Sequence, residues 1–299
     1  MPVVESRSVL TGISVAEVMR RQVVRLPQTV QIAQAIRLMI RHNANSVLLT
    51  DDDVPSGVVS KTDLMGALYA ELPTSTPISD VMGGQPIACY PDDSVEDALE
   101  IMEAAGVHRI YVTGADRKAV VGAVAYADIV GLLYRYCRAC ERSSAKKREK
   151  RSRLDPSARL TVREVMTPEV RSCRTADPLS AVVEILSEHH LGAVLVENEA
   201  GAAAGVISKT DLIVAYHHGA SSNSEAQTIM NAPVHSVPAG SLLSAAIQQM
   251  LVADVQRLFV REENAAGSSL ITGVLALSDS ARFRSGSCRA CTAGRLLIR

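Results

Sequence analysis

Apolar residues recur at offsets of three, four and seven in four separate stretches of the chain. Ile32, Ala35, Ile36, Met39 and Ile40 mark the first, and Val95, Ala98, Leu99 and Met102 the second. Leu179, Val182, Val183 and Leu186 mark the third, and Leu243, Ala246, Ile247, Met250 and Leu251 the fourth. That spacing predicts four amphipathic helices, each with one buried stripe. A β-rich run follows each of them: SVLLT at 46, RIYVT at 109, AVLVE at 193 and RLFVR at 257. A turn rich in Asp, Glu, Asn and Gly then leads to a second strand expected to end on Gly57, Gly122, Gly205 or Gly273, where another helix begins. Short polar segments closing on Met19, Met82, Met166 and Met230 open the four units. Each unit therefore reads as a little β, then helix, strand, strand and helix, which predicts a mixed α/β (α+β) class with small sheets.

The strand-to-helix junction carries a repeated signature. GVVSKTD at 57 to 63 returns as GVISKTD at 205 to 211, with weaker copies GAVAYAD at 122 to 128 and GVLALSD at 273 to 279. A fourfold internal repeat means one small unit used four times. The 299 residues, 47% of them hydrophobic, are enough to bury substantial cores, and length alone suggests about two domains. Aromatics make up only 3% and tryptophan is absent, so the cores are aliphatic and base-stacking platforms are not expected. A net charge of -1 gives no global attraction to phosphate backbones, so nucleic acid is not an expected partner. The first residues, which include Glu5, lack the pattern of a signal peptide, and the most apolar stretch, 119 to 134, is too short to span a bilayer and contains Asp128. A cytoplasmic protein without a membrane span is expected.

Taken with its element order, the Gly-apolar-apolar-Ser-x-x-Asp signature resembles the cystathionine-β-synthase-type, or CBS, domain over about residues 14 to 284. Four copies resemble two Bateman modules, in which consecutive CBS domains pair about a pseudo-twofold axis. The resemblance implies an N-terminal segment at 1–13, CBS units at 14–70, 78–140, 160–216 and 227–291, a basic linker at 141–159 and a tail at 292–299. It also implies an adenosyl ligand, AMP, ADP, ATP or S-adenosylmethionine, with serine on phosphate and aspartate on the ribose diol. Those roles fall on Ser60 and Asp63 and on Ser208 and Asp211. Gly57, Lys61, Gly205 and Lys209 stand beside them, and Asp128 and Asp279 occupy the matching positions of the even copies, where the hydroxyl is lost to Ala125 and Ala276.

Elementary chemistry is compatible with that implication. Glycine lets a ligand approach the backbone, amides at a helix start suit anions, and an ionised carboxylate accepts hydrogen bonds from two neighbouring hydroxyls. Ser-x-x-Asp before an apolar helix is equally a capping box that needs no ligand. His108, Arg109 and Arg257 begin strands on the interior side and are either cleft residues or ordinary surface cations. The pairs His189–His190 and His217–His218 stand at helix ends, where cations suit the helix dipole.

Cys-Arg-Ala-Cys occurs twice, as Cys137–Cys140 and Cys288–Cys291, each nine positions after its aspartate. Four thiolates brought together would suit zinc or an iron-sulfur cluster, which makes a metal or redox sensor the alternative reading. A reversible dithiol and a structurally inert pair remain open. Cys89 and Cys173 read as core residues. Seven Lys or Arg between Arg142 and Arg153 form a basic run that reads as a solvated helix or tether. Four repeats leave little chain for a catalytic domain, and no P-loop or nucleophile elbow is present, so the chain is not expected to be an enzyme. The expectation is a regulatory sensor whose paired domains change shape on binding, acting on a separate target protein. Its modules would assemble as a homodimer or as one disc within the chain.

Overall fold

The computed structural model describes residues 9–52, 54–114, 119–148, 159–263 and 269–284, with the side chains of 140–148 excepted. Four three-stranded sheets are present, one per repeat. In the first repeat β1 (Arg25–Pro27) leads to α2 (Ile32–Arg41), β2 (Ser46–Asp51), β3 (Val54–Ser60) and α3 (Lys61–Tyr69). The second contains β4 (Ala88–Cys89), α4 (Val95–Ala104), β5 (Arg109–Thr113), β6 (Val120–Ala125) and α5 (Tyr126–Arg148). The third contains β7 (Ser172–Arg174), α7 (Leu179–Glu188), β8 (Ala193–Glu197), β9 (Ala203–Ser208) and α8 (Lys209–His217). The fourth contains β10 (Ser236–Pro238), α9 (Leu243–Val252), β11 (Arg257–Glu263), β12 (Ser269–Ala276) and α10 (Leu277–Arg282). In every sheet the first strand runs parallel to the central one, which pairs antiparallel with the third.

The opening segments are exchanged within each pair of repeats. Helix α1 (Val15–Val18) precedes the first repeat in sequence but docks on the second, where the amides of Val15 and Ala16 donate to the carbonyls of Asp93 and Pro91. The 3-10 turn Ile78–Val81 docks in return on the first repeat, with the Ile78 amide on the Val30 carbonyl. Helix α6 (Val162–Val165) and the turn Ala226–Thr228 make the same exchange in the second module. Each repeat therefore receives an opening segment from its module mate.

The helical stripes meet across the modules. Ile32, Ile36, Met39, Leu64 and Leu68 of the first repeat share a core with Leu179, Val183, Leu186, Leu212 and Ile213 of the third. A second core joins repeats two and four through Leu99, Met102, Ile129 and Leu133 with Leu243, Ile247, Met250 and Ala281. Burying one such side chain is worth about 1.5–3 kcal/mol, so these shared cores hold the two modules against each other within the chain. Inside the first module the sheets meet through Leu48, Tyr111, Val120 and Ala123. Helix α5 runs past the expected boundary at Cys140 and carries the first part of the basic run as helix.

Candidate functional site

Strands β3 and β9 end at the two serines that cap α3 and α8. Ser60 donates to Asp63 Oδ2 through its amide at 2.6 Å and its hydroxyl at 2.7 Å, and the Asp63 amide returns a longer bond to Ser60 Oγ at 3.4 Å. Ser208 and Asp211 repeat the arrangement at 2.7, 2.6 and 3.4 Å. The capping box is thus formed at both junctions, and it consumes one carboxylate oxygen of each aspartate. The second oxygen is treated differently at the two places. Asp211 Oδ1 accepts from Asn231 Nδ2 at 2.8 Å. Asp63 Oδ1 has no hydrogen-bond partner among the described residues, because the matching position across from it is Gly83.

These junctions border a cavity of about 790 Å³ at the centre of the disc, lined by all four repeats. Ser60, Lys61 and Asp63 enter from the first, His108, Arg109 and Tyr111 from the second, Ser208, Lys209 and Asp211 from the third, and Arg257 and Phe259 from the fourth. The lysines cross the module boundary: Lys61 Nζ donates to Thr210 Oγ1 and Lys209 Nζ to Thr62 Oγ1, both at 2.8 Å. Each ammonium therefore sits beside the other repeat's aspartate. Burial first, then the charges of Arg257 and Arg109, lower the Lys61 pKa to about 8, while Asp211 pulls it back up. Lys209 is likewise lowered to about 8 by burial and Arg257, with Asp63 opposing.

Arg257 packs its guanidinium against Gly192, where any side chain would collide with it. Its Nη1 is closed off from solvent and has no hydrogen-bond partner among the described residues. Burial lowers the Arg257 pKa to about 10, partly offset by Asp279. Arg109 Nη1 approaches the Ser46 carbonyl at 3.5 Å. His108, edge-on to Tyr126 at 5.7 Å, is held neutral by burial and by the charges of Arg257, Lys209 and Arg282, with its pKa lowered to about 4. The site is a pocket lined by mutually repelling cations together with two aspartates, a charge pattern complementary to a compact anion attached to a polar group.

Other expected positions lie elsewhere. Gly57 and Gly205 are outside the cavity lining, and methionines account for them: a Cβ on Gly57 would collide with Met82 Sδ, and one on Gly205 would lie 2.9 Å from the Asn231 carbonyl and 3.0 Å from Met230 Sδ. The expected ligand approach at these glycines is replaced by packing of the exchanged segment. Asp128 and Asp279 are also outside the lining. Asp128 accepts the Ala125 amide at 3.0 Å and ion-pairs with Arg20. Asp279 accepts the Ala276 amide at 2.8 Å and lies 3.9 Å from Arg282. Half of the cap thus persists without the hydroxyl, which is reason enough for an aspartate at these two positions.

Cys137 is buried on α5, whereas the Cys140 side chain and residues Cys288 and Cys291 lie outside the described residues. No cluster of three or more His, Cys, Asp or Glu able to hold a metal occurs among the described residues. Cys89 and Cys173 are buried in β4 and β7, with thiols pushed up to about 11 by burial. Among the described residues no helix is long and apolar enough to cross a membrane. Sequence reasoning missed Gly83, Asn231, Arg20, Thr62 and Thr210. The first three follow Met82, Met230 and Met19 directly, so their register in the repeat was a usable signal.

A family model for the CBS domain matches residues 15–70, 78–135 and 162–218, more than half of the chain, and the protein belongs to the CBS-domain family, built here as two Bateman modules. The fourth repeat has the same sheet order and flanking helices. The chain is similar to the protein MJ1225 of Methanocaldococcus jannaschii, with 22% identity over 200 residues, 67% of this chain and 68% of that one. The crystal structure of MJ1225, described as a candidate archaeal homologue of g-AMPK, superimposes with a TM-score of 0.73 at 15% identity over 91% of this chain and 99% of that one. The CBS domain-containing protein YhcV of Bacillus subtilis is 28% identical over 117 residues, 39% of this chain and 82% of its own length.

Proposed function

We propose that the protein is a regulatory sensor of adenosyl nucleotides of the AMP, ADP, ATP or S-adenosylmethionine type. The observation that carries this reading is the joint lining of one cavity by Asp63 and Asp211 and by Lys61, Lys209, Arg109 and Arg257. Ribose hydroxyls would donate to the carboxylate oxygen left over from the cap, and phosphate would displace the repulsion among the central cations. A ligand held this way touches repeats of both modules and shifts the disc between conformations by its differential affinity for them. The likeness to a candidate g-AMPK homologue supports a regulatory role through a separate target protein.

The test is calorimetric titration of AMP, ATP and S-adenosylmethionine into the wild type and the Asp63→Ala/Asp211→Ala double variant, with folding checked by circular dichroism. Binding by the wild type that the double variant loses supports the reading. Undiminished binding in a folded double variant contradicts it.

A further inference from the structure

In all four repeats the residue after the methionine is tied by backbone hydrogen bonds to the third strand of its module mate, and in three of them it comes to face the mate's aspartate. Arg20 and Ala123 exchange hydrogen bonds at 2.9 and 3.0 Å, Thr167 and Val274 at 2.8 and 2.9 Å, and Asn231 and Val206 at 2.9 Å each way, while the Gly83 amide donates to the Val58 carbonyl at 2.9 Å. The methionine before each one seats on the mate's glycine and fixes the register: Met19 on Gly122, Met82 on Gly57, Met166 on Gly273 and Met230 on Gly205. What differs is the side chain so delivered. Arg20 neutralises Asp128, Asn231 occupies Asp211 Oδ1, and glycine at 83 puts nothing against Asp63. A Cβ there would already stand 3.8 and 3.9 Å from the two carboxylate oxygens of Asp63, so almost any longer side chain would reach them.

We propose that this single post-methionine position sets how accessible three of the four aspartates are to an adenosyl ligand, leaving the Asp63 cleft open, the Asp211 cleft restrained by the asparagine of its module mate, and Asp128 sealed by arginine. The inference rests on the adenosyl reading above and adds a rank order to it. A ribose diol at Asp211 must first displace the Asn231 amide, whereas at Asp63 it meets a free oxygen. The two cavity-facing sites of one protein therefore bind the same nucleotide unequally, without any difference in their Ser-x-x-Asp motifs.

Calorimetric titration with AMP tests it on the full-length chain. Two classes of site are expected, the tighter lost in Asp63→Asn and the weaker in Asp211→Asn. Asn231→Gly should strengthen the Asp211-dependent site roughly tenfold and Gly83→Asn weaken the Asp63-dependent site roughly tenfold, the scale of one charge-assisted hydrogen bond exchanged with water. A Cβ at 83 lies 3.2 Å from the Val58 carbonyl, so Gly83→Asn crowds the bridge; Asn231→Gly and Asn231→Ala only remove atoms and decide the question alone if it does not fold. Binding that depends on Asp63 and Asp211, yet stays within twofold of wild type in these Asn231 variants, overturns the inference and leaves the adenosyl reading standing. A wild type with no AMP binding dependent on either aspartate overturns both.

Discussion

Lys61 of the first repeat donates an ammonium proton to Thr210 of the third, 2.8 Å away, and so stands beside Asp211. Lys209 makes the reverse crossing to Thr62. The two sites are each composed from both modules. Lys209→Ala is therefore expected to weaken AMP at the Asp63-dependent site about tenfold and Lys61→Ala to do so at the Asp211-dependent site, the scale of a charge-assisted contact to phosphate. Titrations in Asp211→Asn and Asp63→Asn backgrounds separate the two. Weakening by each lysine of the site in its own repeat alone would contradict the crossing.

The same lysines make binding depend on pH. Their ammonium groups are held at about 8 in the folded chain against an ordinary 10.5, so the charged form is the disfavoured one. Below about pH 8 the free protein carries that penalty in full, and it is relieved as pH rises toward 10.5. Bound phosphate favours the charged lysines and raises their pKa. AMP affinity is then expected to fall as pH climbs above about 8, by up to roughly tenfold per unit for each lysine that must be protonated. Calorimetry near pH 8 in buffers of different ionisation enthalpy should register proton uptake on binding, and an absence of uptake would contradict it.

Arg257 Nη1 is buried and has no hydrogen-bond partner among the described residues. An unsatisfied charged donor costs about 1–3 kcal/mol or more, which a neutral side chain of similar length avoids. Arg257→Met is expected to raise the melting temperature of the free protein and to lower AMP affinity at both sites at least tenfold. A variant less stable than wild type, or one with unchanged affinity, would contradict the proposed role of Arg257.

The methionine seats give a prediction about stability alone. Gly205→Ala drives a Cβ against the Asn231 carbonyl as well as Met230 Sδ, so it should cost about 1–3 kcal/mol and resist rescue by Met230→Ala. Gly57→Ala meets chiefly the flexible Met82 side chain, so Met82→Ala should restore part of its loss. Urea unfolding of the singles and doubles measures both cycles. Equal rescue in the two pairs would contradict the distinction.

Much of this architecture was legible in the chain. Stripes such as Ile32, Ala35, Ile36 and Met39 gave the helices, and the junction at Ser60 and Asp63 was visible as both cap and candidate site, which the geometry shows to be compatible uses of one carboxylate. What escaped were relations between repeats. Glycines 57 and 205 looked like ligand approaches because their methionines come from another repeat, and Asp128 looked like a degenerate site because Arg20 lies 108 positions away in sequence. The helical stripes also left open which repeats share a core, since any two such faces satisfy the same periodicity; the pairing of repeat one with three emerges only when Leu64 and Leu212 are seen in one cluster.

The central claim is that one molecule of nucleotide lies between Asp63 and the crossed cations. Co-crystallisation with AMP tests it most directly. Density should place the ribose hydroxyls on Asp63 Oδ1 and the phosphate within hydrogen-bond reach of Lys209 or Arg109. AMP bound only away from Asp63, or an empty central cavity at saturating AMP, would contradict it.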